Sequence, residues 1–393
     1  MAGGADAPLF CRPEDLPRWQ RWQRAQWPAS RRAADAARSA IRAARGTAAG
    51  AESPMLMLPE GEVHSLVALE SFGPTQLAAL AAPVAALPPE AAAGVGWVLP
   101  GEATAEQIAA LPGARTPGVR LTPIPAGAGP LLLPRLAGLR RVLVAGEYLP
   151  SGRAAVRWAR ERGAEVAVVQ HGLLAVSTPP VPRESTLYAF TSEDAAWWTQ
   201  GRADVRVRAV GSALLEDARR TAAHRPAGPD AAGPGVFLGQ LHGAELPRAD
   251  FARAAEDYIR VTGAVYRPHP AEKDRLSRAQ HARWEAQGIT VDRSDVPLTQ
   301  TTGPVVSVFS TGVLEAAQSG RPAWVTHPDP PAWLEGFWER YGMKPYGGDP
   351  TPALPIGTGE PAVAIAGLVD PLPGEGPGPS AGPVPSAGPG GAE

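Results

Sequence analysis

Cysteine is nearly absent. Cys11 is the only one among 393 residues, which excludes an intrachain disulfide and any metal site built from several thiolates. Lysine occurs only at Lys273 and Lys344, so arginine carries almost all of the positive charge, a skew that reads as genome composition. The formal net charge of −2 argues against an overall nucleic-acid binder, a class that is usually strongly basic, so no nucleic-acid partner is expected. No apolar run approaches the roughly 18 residues needed to span a bilayer. The start also lacks the basic segment and apolar run of about 7–15 residues that mark a secretory signal, so a soluble, cytoplasmic protein is expected. His64, His224, His281 and His327 show no metal-ligand spacing, and no metal site is expected.

What is present describes a folded body. Apolar residues make up 44% and charged residues 19%, both ordinary for globular chains. Single cores stop growing at about 250–300 residues, so this length predicts two domains. Residues 1–50 read as a basic, tryptophan-bearing helical segment, with nine arginines between positions 12 and 45 around Trp19, Trp22 and Trp27. Such a segment suits peripheral contact with an anionic membrane face, or a solvated helix whose tryptophans pack on the body. Residues 51–220 alternate short apolar runs with Ala-rich helical stretches, among them MLMLP, GWVLP, RRVLVAGEY and AEVAVVQHG. That alternation predicts an α/β domain with a parallel sheet. Residues 221–235 are rich in Pro, Gly and Ala and read as a linker. A second α/β series, 236–370, follows with GVFLGQLHG, AVYRPHP, ITVD, VVSVF and PAWVTH as strands. The tail 371–393 is low-complexity and expected to be disordered. Two doubly wound, Rossmann-like domains place a ligand cleft between them, at the carboxyl ends of the strands.

The candidate chemistry gathers in Val265–Pro322. Arg267 and His269 lie two residues apart at a strand end, so both can point to one side. Ser310, Thr311 and Gly312 open a helix whose first N–H groups suit an anion, although Ser310 or Thr311 also serves as an ordinary N-cap. Glu315 either complements the helix dipole or accepts hydrogen bonds from ribose hydroxyls. In the loop Gly239–Gly243, Gly239 and Gln240 let backbone approach phosphate, with His242 as a further contact. Across the cleft, His171 follows the strand AEVAVVQ and is a candidate general base. Glu147, after RVLVAG, is the competing carboxylate.

Taken in order, VVQHG, the Pro/Gly linker, LGQLHG, YRPHP and SVFSTGVLEAAQSGRP resemble the GT-B glycosyltransferases of bacterial surface polymers. The nearest groups are the capsule sialyl- and Kdo-transferases and the CDP-glycerol glycerophosphotransferases. The resemblance spans about residues 142–325 and implies a GT-B-like fold with donor phosphate held by His269, Arg267, Ser310 and Thr311. It further implies ribose or base contacts from Glu315 and a base at His171. The implied partners are a nucleotide-activated sugar, with CMP-linked nonulosonic or Kdo-type donors favoured, and a glycan or polyol acceptor. The implied reaction is inverting and metal-independent; no cofactor is implied, since the nucleotide sugar is a substrate. The acidic pair of the sialyltransferases is missing here, Glu147 being the nearest acid. LLAVS does not reproduce the longer glycerophosphotransferase signature. A non-hydrolysing sugar-nucleotide 2-epimerase, a CDP-glycerol-type transferase and a non-catalytic nucleotide- or glycan-binding protein are the alternatives.

Overall fold

The computed structural model describes residues 16–26, 54–114, 120–123, 134–223, 233–243, 245–294, 296–355 and 359–369. Most of the stretch 1–50, the middle of the 221–235 linker and the tail 371–393 lie outside the described residues. The fold is mixed α/β, built on two Rossmann-like sheets.

The first sheet has eight strands: β1 (Met55–Leu58), β2 (Ser65–Ala68), β3 (Val95–Leu99), β4 (Arg120–Pro123), β5 (Arg141–Val144), β6 (Glu165–Val169), β7 (Thr186–Ala189) and β8 (Arg206–Ala209). Their order is β4-β1-β3-β2-β5-β6-β7-β8. From β3 to β8 all pairings are parallel. β1 departs from the expected parallel order and runs antiparallel to both β3 and β4. A parallel return needs a crossover of a dozen or more residues, and residues 59–64 are too few to make one. The second sheet, β9 (Val236–Leu238), β10 (Val265–Arg267), β11 (Val305–Ser307) and β12 (Ala323–Val325), is parallel in the order β10-β9-β11-β12. The expected ITVD strand pairs only once, Tyr266 with Val291.

Nine helices of eight or more residues are described: α1 (Leu16–Gln26), α2 (Pro150–Arg162), α3 (Ser192–Thr199), α4 (Ala213–Ala223), α5 (Arg248–Thr262), α6 (Arg275–Ala286), α7 (Thr311–Gln318), α8 (Ala332–Arg340) and α9 (Pro361–Val369). Side chains alternate across the first sheet. Leu66, Val142, Val166 and Leu187 enter one core with Trp158 of α2 and Trp198 of α3, while Val67, Leu143, Ala167 and Tyr188 enter the other. Period-2 alternation in strands that are apolar on both sides is what lets one sheet feed two cores. β8 ends the sheet with Arg206 and Arg208 exposed, charges that discourage further strand addition.

Two helices cross between the lobes. Leu215 of α4, sequence-assigned to the first domain, is fully buried in the core of the second sheet. Conversely α9, within the stretch assigned to the second domain, inserts Ile365 and Ala366 into the first sheet's core beside Leu80 and Val84. The physical reason is its composition: PAVAIAGLV carries no charge, and burial on a ready apolar face is its best outcome. Trp19 of α1 packs on the body, buried, donating from Nε1 to the Ser177 carbonyl at 3.1 Å and meeting Tyr148 edge-on at 5.8 Å. Among the described residues no helix is long and apolar enough to cross a membrane. Ile365→Ala is expected to cost about 2–4 kcal/mol of first-lobe stability, as for other buried Ile truncations, read from urea unfolding; a loss under about 0.5 kcal/mol would show that α9 is only loosely docked.

Candidate active site

In an open α/β sheet the ligand crevice lies where the strand order reverses direction, outside the carboxyl ends of the strands. In the second sheet the chain leaves β9 toward β10 and returns on the other side as β11. The crevice is therefore flanked by residues 239–243 after β9 and by the start of α7 after β11. In the first sheet the reversal falls between β2 and β5, with β6 next in order. The pairings Ala68–Val144 and Val144–Val168 put Glu70, Gly146 and Gln170 at one level beyond the strand ends.

The second lobe's loops are built around Glu272, whose side chain is fully buried. Its carboxylate accepts from Tyr266 Oη (3.0 Å), His281 Nε2 (2.8 Å), Leu241 N (3.1 Å) and His269 N (3.2 Å). One group thus holds both the GQLHG and RPHP loops. It brings the rings of His242 and His269 into a stack 3.9 Å apart at 16°. His269 Nδ1 accepts from Ala271 N at 3.1 Å, which places the ring proton on Nε2 and leaves that N–H as a donor. Desolvation of the ring, reinforced by the neighbouring imidazole, lowers the His269 pKa to about 3; desolvation also lowers that of His242. Both rings are neutral at pH 7.

Arg267 donates from Nη2 to the Val296 carbonyl, while its Nη1 is buried with no partner among the described residues. Burial raises Glu315 to about 7, opposed by Arg321 and Arg267. The structure therefore brings Arg267, His269, His242 and Glu315 toward one end of the sheet. It gives the glycines and hydroxyls more local duties. Ser310 caps α7 by accepting from Gly312 N at 3.1 Å, and Gln240 Oε1 accepts from Phe309 N and Ser307 Oγ, both at 3.0 Å. A Cβ on Gly312 would lie 2.4 Å from Leu238 Cδ1, and one on Gly239 would lie 2.3 Å from Tyr266 Oη. Gly239 is needed for close packing, because the Tyr266 ring and the Glu272 carboxylate are both fixed there; at Gly312 the nearest atom is a leucine methyl. Thr311 Oγ1 accepts from Leu173 N of the first lobe at 3.4 Å, the point where the two carboxyl edges meet.

On the first lobe His171 stands one residue past the buried Gln170, and no described group hydrogen-bonds its ring. Desolvation lowers its pKa to about 4, so the ring is neutral at pH 7 and a weaker base than a free imidazole. Glu147 is paired instead with Arg160 of α2 at 2.9 Å within its own lobe. The structure adds Glu70, at the first sheet's reversal point. Its Oε1 accepts from Gly152 N at 2.7 Å and its Oε2 from Ser151 N at 3.3 Å. Leu149 offers α2 no side-chain cap, and Glu70 fills that place from another strand. Burial raises its pKa to about 7, against the lowering effect of those N–H groups. The sequence signal was an acid directly after the buried run Leu66–Leu69.

No family model and no curated protein matches the chain. Among solved structures, a KpsC beta Kdo 2,7 transferase from Thermosulfurimonas dismutans aligns at 15% identity and a TM-score of 0.22, over 56% of this chain and 80% of its own. An ABC transporter substrate-binding protein from Desulfitobacterium hafniense, in complex with Leu, aligns at 16% identity and a TM-score of 0.20, over 79% and 82%. Scores of this size carry no argument about what the chain does.

Two outcomes follow from the buried carboxylates. Glu272→Gln keeps the volume but turns an amide toward at least one N–H or O–H donor, and is expected to cost about 2–4 kcal/mol in urea unfolding. Folded Glu70 keeps its proton to about pH 7, whereas an unfolded glutamate releases it near 4.5. Its stability contribution is therefore fully present below pH 4.5 and lost as pH rises through 7. Urea midpoints of the wild type relative to Glu70→Gln should fall steadily across that window, and a constant difference would refute the assignment.

Proposed function

We propose that the chain is a GT-B-type glycosyltransferase that moves a sugar from a nucleotide-activated donor to a hydroxyl of a surface or capsular polysaccharide. The observation that carries this reading is Arg267 Nη1, buried with no partner among the described residues at the carboxyl end of β10, the strand that leads into the loop carrying His269 of the stacked His242–His269 pair. A phosphate oxygen there would complete the guanidinium, accept from His269 Nε2–H and lie near the N-terminus of α7. A CMP-linked, nonulosonic or Kdo-type donor is favoured on charge. At the phosphate itself such a donor presents one negative charge to one guanidinium, whereas a UDP-sugar presents two on its diphosphate; the second charge of the CMP-linked donor is the carboxylate of the sugar.

In the reaction, the acceptor oxygen forms its bond to the anomeric carbon as the bond from that carbon to the phosphate oxygen breaks. The acceptor proton passes to His171, and the electron pair leaves on the phosphate. Arg267 and His269 stabilise the charge gathering there, an interaction that strengthens toward the transition state. Such a single displacement inverts the anomeric centre. His171 is preferred to Glu147 because Arg160 already engages the carboxylate, and because the His171 turn touches Thr311 of the donor lobe. Glu70, protonatable near neutral pH at the first sheet's reversal point, is the second candidate for proton transfer.

Arg267→Ala and His269→Ala are each expected to weaken CMP binding by roughly 10–100-fold in calorimetry, the loss of a hydrogen bond to a charged group. His171→Asn is expected to leave CMP binding intact and lower kcat by about 10²–10⁴-fold. A large kcat loss in Glu70→Gln with full activity in His171→Asn would move the base to Glu70. Full transfer by His269→Ala would sink the donor site, and conversion of UDP-N-acetylglucosamine to its manno epimer without acceptor would favour an epimerase.

A further inference from the structure

The turn that carries His171 is held largely by the opposite lobe. Between Gln170 and Leu174, three backbone groups bond across the cleft. Leu173 N donates to Thr311 Oγ1, Leu174 N donates to Tyr341 Oη at 2.9 Å, and the Leu174 carbonyl accepts from Arg340 Nη2. The tyrosine hydroxyl does two jobs, since it also donates to Asp194 Oδ1 at 2.6 Å. Asp194 Oδ2 in turn accepts from Gln170 Nε2 at 2.9 Å, and the same amide donates to the Gly172 carbonyl at 3.0 Å. Gln170 Oε1 closes the chain by accepting from Phe190 N at 2.9 Å. Tyr341, Asp194 and Gln170 are all buried, and these hydrogen bonds engage both Asp194 oxygens, the Gln170 amide and the tyrosine hydroxyl as both donor and acceptor. Arg340 lies over the Trp197 ring at 4.1 Å and beside the Tyr341 ring at 4.8 Å, so the contact is packed as well as hydrogen-bonded.

We propose that Tyr341 is a positioning residue: its hydroxyl, acting through Leu174 N and through Asp194 to Gln170, aims the His171 turn from the donor lobe. The turn is then correctly set only while the lobes are docked as they are here, which ties acceptor activation to the state of the donor domain. A buried network of this kind is costly to leave half satisfied, so the turn has one strongly preferred arrangement. This role rests on the proposed reaction for its catalytic meaning, but its structural half can be measured without it.

Tyr341→Phe removes both hydrogen bonds and keeps the ring. It is expected to bind CMP within about threefold of the wild type. The Leu174 amide is expected to exchange at least roughly tenfold faster with solvent, as local opening becomes easier. kcat is expected to fall by roughly 10–100-fold with the donor KM little changed, the cost of a misplaced base. Tyr346→Phe, the same deletion on a tyrosine that touches no part of the turn, should change none of these. Should Tyr341→Phe fail to fold, Asp194→Asn tests the same chain, because the new NH2 group must face either the Gln170 amide or the Tyr341 hydroxyl, both of which now donate to Asp194. Unchanged Leu174 exchange and unchanged kcat in the folded variants overturn the proposal while leaving the transferase reading intact. A wild type that transfers nothing, with Leu174 still released by Tyr341→Phe, overturns the reaction and upholds the positioning.

Discussion

A carboxylate sealed from water is tolerated only when its lone pairs are occupied, and Glu272 is such a group. Its partners come from two loops, a strand and a helix: Leu241, His269, Tyr266 and His281. Moving either loop would strand a buried charge, at a cost of several kcal/mol, so neither moves alone. The stacked histidines follow from this constraint, because each sits one residue or less from a backbone N–H that Glu272 holds. The glycine at 239 follows too, since any Cβ there would collide with the Tyr266 hydroxyl and the Glu272 carboxylate. An anion arriving at this edge meets donors already in place, which removes reorganisation from the binding cost.

The same logic operates between the lobes. Each lobe lends a helix to the other: α4 buries Leu215 in the second core, and α9 buries Ile365 in the first. Arg220 and Glu360, at 2.9 Å, join the region where the two crossings run side by side, although exposed pairs of this kind add little. Packing therefore sets the approach of the lobes, and the polar network through Asp194 and Tyr341 sets the register within it. Ser177 adds a third contact, its Oγ donating to the Glu245 carboxylate of the second lobe, while Trp19 covers the Ser177 carbonyl from the first-lobe side.

The strands were legible because they are apolar on both faces and bounded by Pro or Gly, as in MLMLP and GWVLP, and nearly every expected strand is present. What composition could not convey was direction and partnership. β1 reads like its neighbours and runs the other way because of a six-residue link, and PAVAIAGLV gives no sign of which core it enters. Arg267 and His269 stood out through the strand-end spacing of RPHP. Glu272 lies three residues further on and looks like any solvated acid until Tyr266 and His281 are seen to close on it. Glu147 and Glu70 are equivalent in sequence, each an acid just past an apolar run. Only the fold shows that Arg160 neutralises the first and that α2 recruits the second as its cap. Tyr341 was invisible for a related reason, since its partner Asp194 is 147 residues away.

Burial then does something to charge at the cleft that no residue count would show. His171, His242 and His269 are pushed toward neutrality from above, while Glu70 and Glu315 are pushed toward it from below. Histidines and carboxylates thus lose charge together at neutral pH, because desolvation penalises either sign. Arg267 cannot respond in this way, since a guanidinium stays protonated in proteins. Its positive charge is left as the fixed charge among these groups, with Nη1 unpartnered among the described residues. That cation is not isolated: Asp292, whose pKa is lowered against burial by Ser294 and by Arg267, and Arg321, which with Arg267 opposes the rise of Glu315, share its surroundings, so its field is partly compensated rather than bare.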